Sequence, residues 1–295
     1  MKQSNIICFG EMLWDILPTE KQAGGAPMNV AVHLKNLGLN PSIISRVGED
    51  DLGNELFDFV KEKTLDTSLI QRGKTHLTGV AKANVSDQNE VTYKILQPVA
   101  WDYIQFEEAA IEKVKNSDAF VFGSLAARSA FTRETLFKFL EIAPFKVFDV
   151  NLREPFYSKE LIEKLLFSAN MVKMNAHELA LITAWNGEMM QEKAAINELA
   201  SRFDIDIICI TRGENGAILY KNGQFFESNG FTVKVKDTIG SGDSFLAALL
   251  KNLLENNDPS ESLTFACALG SLVATYQGAT PKVSEEEIHA FLEKV

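Results

Sequence analysis

Asp237-Thr238-Ile239-Gly240-Ser241-Gly242-Asp243-Ser244-Phe245 runs without a break into Leu246-Ala247-Ala248-Leu249-Leu250, an apolar stretch that reads as a helix. Two glycines around one small residue, placed directly before a helix start, leave several backbone N–H groups unpaired and free to face an anion. Such a turn suits a phosphate. Asp243 falls inside it, where a carboxylate would repel a resting phosphate but could take a proton from a hydroxyl attacking that phosphate. The same residues also suit a plain tight turn with Asp243 as helix N-cap, and this segment alone leaves both readings open.

Around that turn the chain alternates short strands with helices. Strands are predicted at 5–9, 42–47, 118–123, 145–149, 170–174 and 205–210, with helices near 26–37, 52–63, 131–141, 160–167, 175–182 and 190–202. Ala217–Tyr220 and Gln224–Glu227 flank Asn222-Gly223, a hairpin signal. Helices near 243–255, 260–276 and 285–294 complete the chain, the last opened by the capping box Ser284-Glu285-Glu286-Glu287. This alternation predicts an α/β fold: a mainly parallel sheet with helices on both faces. Between Leu77 and Tyr103 the texture differs, with β-prone runs at 78–85 and 90–96 separated by Ser86-Asp87-Gln88-Asn89. Residues 11–20 and 77–100 read together as a small sheet standing off the body as a lid, or else as an edge meander.

With 295 residues, 46% of them hydrophobic, the chain can fill one large core, and a single domain over 1–295 is expected. A net charge of -11 and the lack of any Lys or Arg run argue against nucleic acid as a partner, while one small anion held by local dipoles stays open. Cys8, Cys209 and Cys267 are odd in number and far apart, without metal or redox spacing, as in a reduced, cytoplasmic protein. The run Ile6-Ile7-Cys8-Phe9 meets Glu11 and Asp15 too soon for a signal peptide or a membrane span. It also ends Gly10-Glu11-Met12 rather than in the GxGxxG turn of a nicotinamide-dependent dehydrogenase.

In a parallel sheet, ligands bind beyond the carboxyl ends of the strands. That rule gathers Glu11–Asp15, Gly24-Gly25, Asp149–Arg153, Asn175–Glu178, Thr211–Gly213 and Asp237–Asp243 into one place. So assembled, the chain resembles the PfkB (ribokinase-like) carbohydrate kinases, and among them the fructokinases. Gly24-Gly25-Ala26-Pro27-Met28-Asn29-Val30-Ala31-Val32-His33-Leu34 is similar to the family's N-terminal signature, and Asp237–Asp243 to its C-terminal one. The resemblance extends along almost the whole chain.

The resemblance implies a ribokinase-like fold with a β lid and ATP-dependent phosphorylation of a sugar hydroxyl. Asp243 would be the base, and the N–H groups of Gly240, Ser241 and Gly242 would stabilise the transferring phosphoryl group. Asp15, Gly25, Asn29 and Arg153 fall at sugar-contacting positions. Lys173, Asn175, Thr211, Gly213, Gly216, Ala268 and Ser271 fall at nucleotide positions. Asn175 and Glu178 would place Mg2+ through water, and the carbonyls of Asp237 and Ile239 lie near the site where many relatives hold a monovalent cation such as K+. Family lids often pair into a homodimer. Gly10-Glu11-Met12-Leu13-Trp14-Asp15 points to fructose, converted to fructose 6-phosphate, whereas Val91-Thr92-Tyr93-Lys94-Ile95-Leu96-Gln97-Pro98 departs from the arginine-rich lid strand of many fructokinases. Ribose, 2-keto-3-deoxygluconate and a non-catalytic regulator are the competing readings.

Overall fold

An apolar run without alternation needs cover on both faces, and Ile6-Ile7-Cys8-Phe9 has it. In the computed structural model it forms an interior strand of the main sheet, β1 (Asn5–Phe9), its four apolar side chains at most 2% exposed. The structure describes residues 3–17, 20–85, 91–185, 187 and 190–294.

After β1 come β2 (Leu13–Ile16), β3 (Lys21–Gly24), α1 (Ala26–Asn36), β4 (Asn40–Gly48), α2 (Asp51–Glu62) and β5 (Ile70–Gly73). A hairpin of β6 (Gly79–Val85) and β7 (Val91–Ile95) precedes α3 (Glu108–Lys115), β8 (Ala119–Gly123), α4 (Ala130–Ile142), β9 (Lys146–Asp149), α5 (Lys159–Phe167) and β10 (Met171–Asn175). Then follow α6 (Ala176–Ala184), α7 (Glu192–Phe203), β11 (Ile207–Thr211), β12 (Ala217–Lys221), β13 (Gln224–Ser228), α8 (Ser241–Leu254), α9 (Pro259–Val273) and α10 (Glu285–Leu292).

Among the described residues, nine strands form the main sheet in the order β13-β12-β11-β10-β9-β8-β1-β4-β5. Pairing is parallel from β11 to β5, while β12 pairs antiparallel with both β11 and β13. Alternate residues supply two cores. Ile6, Cys8, Val121, Val147 and Met171 pack with Val30 and Leu34 of α1, Leu249 of α8 and Leu269 of α9. Ile7, Phe9, Phe122, Phe148 and Val172 face Leu136 and Phe139 of α4, Leu165 of α5 and Leu199 of α7. Each such side chain contributes about 1.5–3 kcal/mol on burial, so the sheet is fixed from both sides. From β1 the chain builds outward through β4 to β5, then returns to place β8 on the other side. That reversal opens a crevice at the carboxyl ends of β1 and β8.

The second sheet, β3-β2-β6-β7, stands apart. Trp14 Nε1 donates to Leu52 O of α2 at 2.9 Å, and Arg128 Nη2 holds Leu96 O at 2.7 Å, so both ends of the sheet are tied to the body. The small sheet reaches beyond the expected limits, because Lys21–Gly24 pairs antiparallel with β2 as a fourth strand. Lys-Gln-Ala-Gly has no β-prone pattern, and its strand exists through pairing rather than propensity. The Ser86–Asn89 turn lies outside the described residues, as do Pro18 and Thr19. Two further elements, β5 and α3, carry no sequence signal strong enough to have been expected.

Candidate active site

Gly240 takes φ +79 just before α8, a left-handed conformation that glycine adopts freely, and a Cβ there would collide with the Ala279 carbonyl. Helix α8 therefore begins at Ser241 and places Asp243 in its first turn. First-turn N–H groups have no partner within a helix, so those of Gly242 and Asp243 open outward. Asn29 Nδ2, from α1, donates to Asp243 Oδ2 at 2.8 Å. Burial raises the carboxyl of Asp243 above its ordinary value, while Lys173, the Asn29 hydrogen bond and Arg153 oppose that rise.

Beneath Asp243 lies a buried ion pair. Lys173, midway along β10, has its Nζ 3.1 Å from both oxygens of Asp149, its register partner at the end of the adjacent strand β9. Burial would lower the ammonium, but Asp149, Asp243 and Glu178 outweigh it and hold Lys173 above its usual range. Burial also lifts Asp149, against the pull of that ammonium. Asn175 caps α6 reciprocally with Glu178: Asn175 Oδ1 accepts from Glu178 N, and Glu178 Oε2 from Asn175 N, both at 2.8 Å. The other carboxylate oxygen, Oε1, accepts from Leu152 N at 2.8 Å.

Two cavities meet beside the turn that carries Asp243. The first, about 460 Å³, lies between the carboxyl ends of the main sheet and the small sheet. It brings together Asp15, Gly25, Asn29, Arg153, Lys173 and Asp243. Gly25 has φ +115 and no room for a Cβ, which would meet the Glu11 carbonyl. Burial raises Asp15 to about 6, with Arg153 opposing. Arg153 is exposed and bonds its neighbour's carbonyl, Leu152 O, at 2.9 Å. Glu11 lines the same cavity, in keeping with the place expected for the Glu11–Asp15 stretch, although no role was assigned to Glu11 itself. It is 3% exposed and raised by burial to about 7, and its Oε2 has no hydrogen-bond partner. Its only sequence signal is its place two residues after a strand end. Asn29 Oδ1 and Ser241 Oγ are likewise buried without partners, so three orphaned polar atoms cluster at this site.

The second cavity, about 320 Å³, meets the first at Thr238 and Gly242. Thr211, Gly213, Gly216 and Ser271 line it as expected, together with Phe231, Val233, Val235 and Phe245. Cys267, Gly270, Ser271 and Ala274 of α9 and its C-cap face this cavity at helical spacing. Ala268 does not line it: this residue is fully buried in the core. The 231–235 wall was not anticipated, since it belongs to no regular element. Lys173 lines the first cavity rather than the second. Asp237 Oδ1 and Oδ2 accept from Ile239 N and Gly278 N, each at 3.0 Å, fixing the turn on which both candidate carbonyls lie. Among the described residues no three His, Cys, Asp or Glu side chains converge as a metal site, and no helix is long and apolar enough to cross a membrane. All three cysteines are free and buried.

The similarity to known proteins follows this geometry. Residues 5–286 match the model of the pfkB family carbohydrate kinases. A probable fructokinase-2 of Arabidopsis thaliana is 28% identical, over 94% of this chain and 92% of its own. The crystal structure of a fructokinase with bound ATP from Xylella fastidiosa superposes with a TM-score of 0.87 at 25% identity, covering 98% of each chain. A Vibrio cholerae O395 fructokinase double mutant, in a form with fructose, ADP and potassium ion bound, shares the fold at a TM-score of 0.86 and 22% identity, with 98% of each chain covered. The match to the family model spans both cavities and the turn between them, and the chain belongs to the pfkB family of carbohydrate kinases.

Proposed function

We propose that this kinase transfers the γ-phosphoryl group of ATP to a hydroxyl of a neutral sugar, fructose giving fructose 6-phosphate. One observation carries the reading: Asp243 lines the first cavity directly after Gly242, which lines both, in the first turn of α8 and with one oxygen held by Asn29.

Asp15, Gly25, Asn29 and Arg153 hold the sugar in the first cavity, with the orphaned Asn29 Oδ1 accepting a sugar hydroxyl. Asp243 takes the proton of the attacking hydroxyl, its carboxyl raised by burial and the Lys173 charge beneath it opposing that rise. The N–H groups of Gly240 and Gly242 receive the charge of the transferring phosphoryl group; Ser241 N, which donates to Thr238 O at 3.3 Å, joins them only by giving up that bond. Thr211, Gly213, Gly216 and Ser271 hold the nucleotide in the second cavity, with Ala268 packing behind it. Bound MgATP supplies the phosphoryl group and neutralises its charge. Glu178 spends one lone pair of each oxygen on a backbone N–H, so its remaining ones suit a magnesium-bound water, with Asn175 beside it. The carbonyls of Asp237 and Ile239 suit a potassium ion. The small sheet acts as a lid excluding water, and its open edge β7 is where a second copy would form a homodimer.

Glu11, Asp15 and Asp243 all line the first cavity, and the Lys173 charge is shared with Asp149. This balance favours a neutral acceptor over a sugar acid such as 2-keto-3-deoxygluconate. The test is ADP release with magnesium, ATP and fructose, ribose, glucose, 2-keto-3-deoxygluconate or fructose 6-phosphate. Turnover confined to fructose is expected. Preference for another sugar would displace fructose but keep the chemistry, and silence on every acceptor would favour a non-catalytic regulator.

A further inference from the structure

His33 lies one helical turn beyond Asn29 on α1, at 1% exposure, so the two share a face. Asn29 reaches Asp243, while His33 Nε2 lies 2.9 Å from the carbonyl oxygen of Ala279. A carbonyl only accepts, so this ring nitrogen carries the proton. The Ala279 carbonyl is the group packed so closely on Gly240 that no Cβ fits between them.

We propose that His33 is a positioning residue for phosphoryl transfer: by donating to Ala279 it seats residues 277–280 against Gly240 and so fixes the Gly240-Ser241-Gly242 turn relative to Asp243. Other contacts hold the same segment from other sides. Asp237 bridges Gly278 N and Ile239 N, tying the segment to the turn itself. Lys63 Nζ donates to Thr280 O at 3.2 Å. Gln277 Nε2 and Gln22 Nε2 both donate to Glu20 Oε1 at 2.9 Å, reaching the small sheet through β3. His33 keeps one form through neutral pH, since burial, aided by Lys63, outweighs the Ala279 hydrogen bond and lowers it to about 4. Misplacing a group by about 1 Å in such a site can cost roughly 100-fold in rate, and the loss of one of several restraints should cost less.

The inference rests on reading this turn as the phosphoryl-binding element. Its test compares His33→Leu, which keeps the bulk and loses the donor, with His33→Gln, which keeps a donor. Melting and circular dichroism establish the folded fraction of each. The expected result is a kcat about tenfold lower in His33→Leu, with KM for sugar and ATP within about twofold and His33→Gln restoring most of the rate. Full kcat in His33→Leu, an equal loss in His33→Gln, or a change confined to KM for the sugar would each overturn it. Should His33→Leu not fold, Lys63→Met decides instead: a lower kcat at unchanged KM supports the bracket, and an unchanged kcat overturns it. A wild type without turnover overturns the proposed function as well, whereas an active wild type with an indifferent His33→Leu removes this inference alone.

Discussion

Asn29 and Asp243, 214 positions apart in the chain, meet through a 2.8 Å hydrogen bond that joins the first turns of α1 and α8. The bond occupies one carboxylate oxygen and leaves the other for the substrate. Asp243→Asn keeps the shape and removes the base, so kcat should fall roughly 10²–10⁴-fold while sugar and ATP still bind. Near-normal turnover with intact binding would show that the proton leaves by another route.

Asn29→Asp places a second carboxyl beside the first. Like charges at this distance cannot both ionise readily, so the apparent pKa of the pair rises. A base must be ionised to work, and the acidic limb of the kcat/KM profile should therefore move upward by about 1–2 pH units. A limb that stays in place would separate Asp243 from the rate.

Glu178→Gln exchanges one acceptor for an amide that faces a backbone N–H. Either Leu152 N or Asn175 N loses its partner, at a cost of about 1–2 kcal/mol. A lower melting temperature should accompany a higher magnesium requirement for half-maximal rate. Reduced melting with an unchanged magnesium titration would leave the residue only its role as a cap.

A lid should close when the sugar arrives. Fructose should slow hydrogen exchange in β2, β6 and β7, because Leu13, Asp15, Ala81 and Ile95 line the first cavity. Exchange in those strands that ignores saturating fructose would make the small sheet a static wall.

Strand-helix alternation made the layered sheet legible, since buried runs such as Ile6–Phe9 and Phe120–Phe122 carry their own signal. Gly240 and Asp243 were legible because turn chemistry is local, whereas Asn29 entered only through the resemblance of Gly24–Leu34 to a family signature. Lys21–Gly24 and the 231–235 wall were not, as their positions come from pairing and packing that no short window contains. The Lys173–Asp149 pair joins parallel neighbours 24 residues apart, and nothing in either segment announces the other. Ala268 shows the limit of placing helix residues by motif: a rotation of 100° per residue separates its core position from the cavity-facing Cys267.

Glu11 offers a test of stability traded for function. Burial dominates its rise to about 7, against hydrogen bonds from its own and the Ala26 backbone and the charge of Arg153. An acid raised on folding binds its proton more tightly folded than unfolded, so stability should fall as pH climbs from about 4.5 to about 7 and stay reduced above that. Glu11→Gln removes this penalty, and at about 1.4 kcal/mol per pKa unit the gain at pH 8 should be roughly 1–3 kcal/mol. The advantage should vanish below about pH 4, where the wild-type carboxyl is protonated in both states. Melting curves of both proteins across that range, with kcat measured in parallel, would decide the matter. A more stable but slower variant would show that the buried carboxyl serves the sugar cavity; a variant no more stable at pH 8 than at pH 4 would show that Glu11 is neutralised by Arg153.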